Sequence, residues 1–258
     1  MQVNVGSDEQ VEAANLLTQA QNLIKQLERQ IQLMSNPQEG TCSVFYRDEE
    51  FRVALPWASF ENYQFRIASS HVVPDPVLLT QLFDLVPSLE GKSLIDVGSY
   101  TGLQGLVLRK FLSPASTHMV EPQKTVQNAL SRTIEANSDG GPISLIRAVV
   151  DDGTSMMVRG DIQPAKLSET AYIRREGGDV EAKAIDDLGI ENVGLINLDI
   201  PGQKIYALRG AEETMKKDKP VILTNLSGRD AVEIKEFMEA RSYEAVRVGR
   251  HSLVCLPS

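Results

Sequence analysis

Apolar positions change their rhythm twice along this chain. Over residues 8–35 they recur at helical spacing. Leu17, Ile24 and Ile31 fall seven apart, as do Ala13, Ala20, Leu27 and Met34, and the two series interleave at steps of four and three. This is an a/d seam of about three heptads. Leu16 and Leu23 widen it, and Asn36-Pro37 stops it. The seam fits a dimerising coiled coil, which would make the chain a homo-oligomer. It equally fits an amphipathic helix folded back on its own domain, and the pattern leaves both open.

Over residues 38–75 the periodicity weakens. Cys42 to Tyr46 and Phe51 to Leu55 read as a short hairpin around Arg47-Asp48-Glu49-Glu50. Phe45, Tyr46, Phe51, Trp57, Phe60, Tyr63 and Phe65 crowd into this stretch. A cap over a ligand site has this composition, and so does a small satellite core. Pro76 to Leu85 reads as a helix, capped by Asp75 with Pro76 in its first turn.

From there strands alternate with helices. Apolar strands are expected at 93–97, 117–120, 143–146, 193–198 and 221–224, and helices at 103–111, 123–136, 204–216 and 231–241. Tyr243 to Val248 and Ser252 to Leu256 are joined by Gly249-Arg250-His251, a link so short that the two strands must be antiparallel. The others, joined through helices, should be parallel. The predicted fold is α/β: a doubly wound, mostly parallel seven-stranded sheet, Rossmann-like, with an antiparallel C-terminal hairpin and an N-terminal helix. The chain divides into an N-terminal helix (1–37), an aromatic-rich cap with its lead-in helix (38–88) and a sheet domain (89–258). Residues 152–184 are a long insertion, in which Met156 to Val158 and Ala171 to Ile173 are expected to pair.

Composition narrows the function. The 258 residues are 42% hydrophobic and 24% charged, enough for one full domain with an appendage. Twenty-six Lys and Arg stand against 35 Asp and Glu, a net charge of −9 and a pI near 5.0. Such a surface repels phosphate backbones, so no nucleic-acid partner is expected. The basic run Lys216, Lys217 and Lys219 reads as the solvated end of a helix. No apolar run is long enough to span a membrane, and the polar, acidic start MQVNVGSDEQ is not a secretory signal. Cys42 and Cys255 form no Cys-x-x-Cys pair and the three histidines are scattered, so structural zinc is not expected and a reducing cytoplasm is.

Candidate chemistry collects at strand ends, where an open α/β sheet binds its ligand. The first sheet strand ends in Asp96-Val-Gly98-Ser99-Tyr100-Thr101-Gly102. Gly98 permits a tight turn and close backbone approach to a ligand, and Gly102 lets the next helix pack near the strand. The spacing is not Gly-x-Gly-x-x-Gly, which argues against NAD. The second strand ends in Glu121-Pro122, where a carboxylate can accept both hydroxyls of a ribose. Together these favour an adenosine-type nucleoside, with S-adenosylmethionine preferred. Asp151, after the third strand, stands either beside the adenine amino group or in a solvated turn. Asp199, after the fourth, takes either a ligand role or the capping of the next helix.

Residues 93–227 resemble the FkbM family of S-adenosylmethionine-dependent methyltransferases. The first family motif, Asp-x-Gly-(Ala/Ser)-x-x-Gly, stands as Asp96 to Gly102. The Glu-Pro stands as Glu121-Pro122, and the Leu-Asp-Asp-Leu-like element as Ile185-Asp186-Asp187-Leu188. The long signature runs from Ile196-Asn197-Leu198-Asp199-Ile200-Pro201-Gly202 through Lys204 to Gly210-Ala211, and the Pro before the fifth strand is Pro220. The resemblance implies a class I methyltransferase fold. It implies that Asp96, Gly98, Ser99, Gly102 and Glu121 hold S-adenosylmethionine, with Tyr100 and Thr101 in the same loop, leaving S-adenosylhomocysteine as product. It further implies transfer to an oxygen of a small molecule such as a sugar or polyketide, with Asp199 facing the methyl and the acceptor. The chain departs from the family at three charged positions: Asn197 replaces a Lys, Lys204 a Glu, and Asn225 a Glu.

An alcohol acceptor needs a base or a metal. Asp199 and His71 are the candidate bases. Asp199 and Asn225 offer only two oxygens to a cation, too few for a metal to be expected. The turn after Asp199 lacks the Pro-Pro-aromatic sequence that goes with amino-group methylation of nucleic acid. A binding or scaffold role through the N-terminal helix is the alternative that the three changed charges favour.

Overall fold

The computed structural model describes residues 16–21, 24, 41–56, 62–137, 141–154, 157–158, 180–200, 204–225 and 230–258. A two-stranded hairpin comes first, β1 (Cys42–Tyr46) and β2 (Glu49–Val53), followed by α1 (Asn62–Ser70) and α2 (Pro76–Leu85). Then β3 (Ser93–Val97), α3 (Leu103–Leu112), β4 (Ser116–Val120), α4 (Lys124–Ala136) and β5 (Ile143–Ile146) alternate. The short strands β6 (Val149–Val150), β7 (Met157–Val158) and β8 (Val180–Lys183) follow, with a 3-10 turn at Ile185–Leu188. The chain continues with β9 (Val193–Leu198), α5 (Lys204–Arg209), α6 (Glu212–Asp218), β10 (Val221–Asn225), α7 (Asp230–Glu239), β11 (Tyr243–Val248) and β12 (Ser252–Pro257).

The main sheet has seven strands in the order β11-β12-β10-β9-β3-β4-β5. Strands β3, β4, β5, β9 and β10 pair in parallel, and β12 is antiparallel to both β10 and β11. This is the predicted sheet with its closing hairpin. Chain order reverses between β3 and its neighbour β9, which opens a crevice at their carboxyl ends. Every residue of β3 and β9 is buried, as central parallel strands require.

Alternation along these strands divides the core in two. Leu94, Leu195 and Leu223 face one layer with Leu106, Leu108 and Leu130; Ile95, Val97, Ile196 and Leu198 face the other with Leu208, Ile234 and Met238. Each such side chain stabilises the fold by about 1.5–3 kcal/mol relative to exposure. Val44, Tyr46, Phe51, Val53 and Ile67 belong to the first layer, so the 38–88 segment shares its core with the sheet. Tyr46 packs edge-on against Phe83 and Phe111, whose rings stack on each other at 5.2 Å. Ala54 N–H donates to Thr133 Oγ1 at 3.0 Å, and Asn137 exchanges hydrogen bonds with the backbone of Arg52, which ties the hairpin to the end of α4. Phe45 is exposed, Tyr63 and Phe65 are half-buried, and Trp57 and Phe60 lie outside the described residues.

The structure corrects three expectations. The cap hairpin turns on two residues, so β2 starts at Glu49, not at Phe51, with Tyr46 opposite Glu49. The expected helix 204–216 is two helices, α5 and α6, interrupted at Gly210. A Cβ there would collide with the Asp151 carbonyl oxygen, and the Gly210 carbonyl accepts the Asp186 N–H at 2.9 Å. In the insertion, Met157–Val158 pairs with Val180–Glu181; the expected partner, 171–173, lies outside the described residues. Strand β8 also pairs with β6, so the chain after β5 leaves the main sheet for a small one of its own.

Of the N-terminal helix, residues 16–21 and 24 are described and helical. Leu16, Leu17 and Ile24 are 60%, 61% and 54% exposed. The rest of the expected 8–35 helix lies outside the described residues. Among the described residues no helix is long and apolar enough to cross a membrane.

Candidate functional site

Three carboxylates stand at the carboxyl ends of neighbouring central strands: Asp96 on β3, Glu121 after β4 and Asp199 after β9. The loop from β3 to α3 winds between them. Gly98, Tyr100 and Gly102 all have positive φ, at 80°, 50° and 83°. A side chain on Gly98 would collide with the Asp199 carbonyl oxygen, so the close approach it permits is to the protein's own backbone. A Cβ on Gly102 would stand 2.6 Å from Leu130 Cδ1, so this glycine lets the loop seat against α4, as well as capping α3. Ser99 Oγ donates to the Asp96 carbonyl at 2.7 Å, and Ser99 and Thr101 are both buried.

Glu121 is buried. Its Oε2 accepts the Tyr100 N–H at 3.0 Å and its Oε1 the Gln123 N–H at 2.9 Å. Burial pushes its pKa up to about 7 against these two bonds, and Asp96 adds to the rise. Each carboxylate oxygen has two lone-pair sites. One on each is used by the backbone, and the Gln123 side chain also interacts with the carboxylate, so part of its capacity is left for ligand hydroxyls. That donor-seeking geometry fits the ribose of S-adenosylmethionine.

Asp96 points under α3. Its Oδ1 accepts from Asn197 Nδ2 at 2.7 Å, and Gln104 reaches the other end of the Asn197 amide at 3.4 Å. Its Oδ2 is buried beside Gly105 with no hydrogen-bond partner. Burial raises its pKa to about 6, opposed by the Asn197 and Ser99 hydrogen bonds and helped by Asp199. The resemblance expects Lys where this chain has Asn197. A neutral amide does less than an ammonium to hold a buried carboxyl ionised.

Asp199 accepts a hydrogen bond from Asn225 Nδ2 at the end of the adjacent strand β10. Lys204, the first residue of α5, is only 2% exposed. Desolvation raises the Asp199 pKa and the charge of Lys204 opposes it. Asp199 itself is open to solvent, which moderates the desolvation. The third changed position, Asn225, thus supports Asp199 directly, and its own Oδ1 is buried with no hydrogen-bond partner.

The two remaining candidates are placed less centrally. Asp151 follows β6, outside the main sheet. Its N–H donates to the Lys183 carbonyl, and its Oδ1 accepts the Gly153 N–H at 2.8 Å, closing an Asx turn. His71 is half-buried at the end of α1, with φ 56°. Its Nδ1 lies 2.8 Å from the Ser43 carbonyl oxygen and 3.5 Å from Cys42 Sγ, so its hydrogen-bond partners belong to the cap hairpin and not to the strand ends. Among the described residues no group of three or more His, Cys, Asp or Glu is placed to hold a metal ion.

Two polar residues of the site have no motif to mark them. Gln64, on the buried face of α1, donates from Nε2 to the Tyr100 hydroxyl at 2.7 Å. Gln123 is buried beside Glu121. The only signal in the sequence is a lone amide where an apolar residue would serve, as at Gln64 between Tyr63 and Phe65.

A family model described as the methyltransferase FkbM domain matches residues 96–246, more than half of the chain. No curated protein matches it. Among solved structures it is similar to the methyltransferase FkbM from Methylobacillus flagellatus KT, with 14% identity and a TM-score of 0.52, over 64% of this chain and 43% of that one. The chain therefore spans less than half the length of that structure. It is also similar to precorrin-6y C5,15-methyltransferase from Geobacter metallireducens GS-15, with 9% identity and a TM-score of 0.46, over 71% of this chain and 88% of that one. A ribosomal protein L11 methylase from Lactobacillus delbrueckii subsp. bulgaricus has 12% identity and a TM-score of 0.43, over 70% and 77%. At 14% identity the likeness to the Methylobacillus flagellatus structure speaks for the fold alone. The domain match, on a sheet of this strand order, shows that the chain belongs to the FkbM family of methyltransferases.

Proposed function

We propose that the protein transfers a methyl group from S-adenosylmethionine to a hydroxyl of a small molecule. The observation that carries this reading is Asp199. It stands at the carboxyl end of central strand β9, it is hydrogen-bonded by Asn225, and its backbone meets Gly98 of the β3–α3 loop. When bound, S-adenosylmethionine supplies a methyl group on a positively charged sulfur, and S-adenosylhomocysteine is what remains.

The residues divide the work. Glu121 accepts the ribose hydroxyls, while Gly98 to Gly102 shape the loop beside them. Asp151, closing its own turn after β6, would stand beside the adenine only with its remaining acceptor capacity. Asp199 would take the proton of an acceptor hydroxyl, for which the bound cofactor would supply the methyl group and the neutral sulfide as leaving group. Asn225 aims the carboxylate, and Lys204 keeps it ionised. A displacement at carbon requires acceptor and methyl in line, and the end of β9 and the β3–α3 loop would bound the space in which they meet.

Calorimetric titration of the full chain with S-adenosylmethionine and S-adenosylhomocysteine tests this. Micromolar binding of both, followed by methyl transfer to a hydroxylated acceptor that Asp199→Asn abolishes, is the expected result. Absence of binding to either ligand would overturn the cofactor assignment and shift the reading to a scaffold role. Transfer to nitrogen alone would overturn the choice of acceptor.

A further inference from the structure

Tyr100 occupies a position at odds with its side chain. It lies between Gly98 and Gly102 in a loop where every second residue has positive φ, and it is the one of the three with a Cβ. That backbone region is unfavourable for an aromatic residue, so contacts of the side chain must hold it there. Two of those contacts come from the cap. The Tyr100 hydroxyl accepts from Gln64 Nε2 at 2.7 Å, and its ring meets the Tyr63 ring edge-on at 5.8 Å and 62°. Gln64 is fully buried, with 0% exposed, so its bond to the Tyr100 hydroxyl is shielded from water.

The other end of Tyr100 serves the cofactor carboxylate. With φ at 50°, its N–H is directed at Glu121 Oε2, 3.0 Å away. One residue thus joins the buried face of α1 to the group that receives the ribose. We propose that Gln64 is a positioning residue for cofactor binding, acting through the Tyr100 side chain to keep the Tyr100 N–H on Glu121. This rests on the reading of Glu121 as the ribose acceptor. On this reading α1 sets the shape of the β3–α3 loop, and cofactor affinity depends on a helix outside the matched family domain, which begins at Asp96.

The test is titration of the full-length chain with S-adenosylhomocysteine, comparing wild type, Tyr100→Phe, Gln64→Met and the double variant. Each single variant is expected to bind about tenfold more weakly, and the losses in the double variant to be less than additive, because both remove the same hydrogen bond. The pH below which affinity is lost should also move upward in both. Glu121 loses an N–H that favours its charged form, and a merely structural role would not move that limb. Tyr100→Phe keeps the ring and decides the matter alone if Gln64→Met does not fold. Wild-type affinity in Tyr100→Phe, additive losses in the double variant, or an unmoved pH limb would each overturn the proposal. Tight binding by wild type with unchanged variants would overturn the latch alone. No binding by wild type would overturn the ribose assignment and the latch with it.

Discussion

A buried carboxylate with two backbone donors, as at Glu121, depends on its charge for what it can bind. Glu121→Ala is expected to weaken S-adenosylhomocysteine binding by about 1–3 kcal/mol, the cost of losing charge-assisted bonds; calorimetry at neutral pH checks it, and unchanged affinity would displace the ribose from this site. Lys204 works at the same scale on Asp199. Its ammonium opposes the desolvation that raises the Asp199 pKa. Lys204→Met should therefore raise that pKa further and move the acid limb of kcat/KM to higher pH, whereas Lys204→Arg should leave the limb near its wild-type position. A pH–rate profile that is the same in wild type and Lys204→Met would remove Lys204 from this role.

The elements show where backbones must meet. Gly210 parts α5 from α6 because a side chain there would strike the Asp151 carbonyl. Gly210→Ala should cost about 1–3 kcal/mol of stability, in the range of overpacked sites, with no loss of helical propensity to explain it; chemical denaturation measures this directly. The described part of the N-terminal helix exposes Leu16, Leu17 and Ile24. If Leu17 and Ile24 lie in a seam that meets a second copy, deleting residues 1–37 should lower the subunit count in light scattering. An unchanged count would favour a helix folded back on its own chain.

At the scale of the whole molecule the buried carboxyls couple stability to pH. Asp96 and Glu121 have ordinary values of 3.8 and 4.5 and are raised in the fold to about 6 and about 7. Between those limits the folded chain holds more protons than the unfolded one. Stability is then greatest below the ordinary values and falls as pH rises through the raised ones. Thermal melting of the unliganded protein should give a midpoint several degrees higher at about pH 5 than at about pH 8, as far as these two groups govern it. The opposite order would mean that neither carboxyl is as desolvated as the fold implies. If S-adenosylhomocysteine binds the charged form of Glu121, as proposed, it should narrow the difference.

What was legible in the sequence is what local pattern and strand order determine. All seven strands of the main sheet could be read from apolar runs punctuated by turns, because parallel central strands bury both faces and so stand out as continuous apolar stretches. The glycine loop, Glu121 and Asp199 were legible because each follows such a strand and ligands bind at strand ends. Contacts that join residues far apart in the chain were not legible. The break at Gly210 depends on the carbonyl of Asp151, and the pairing of β7 with β8 crosses a long insertion. The left-handed Tyr100 depends on Gln64 in a cap helix. The sequence by itself determined the family, the sheet and that Asp96, Glu121 and Asp199 stand at its strand ends. Only the tertiary structure decided what each carboxylate touches, because burial and hydrogen-bond partners are supplied by segments that the fold brings together and that no local spacing records.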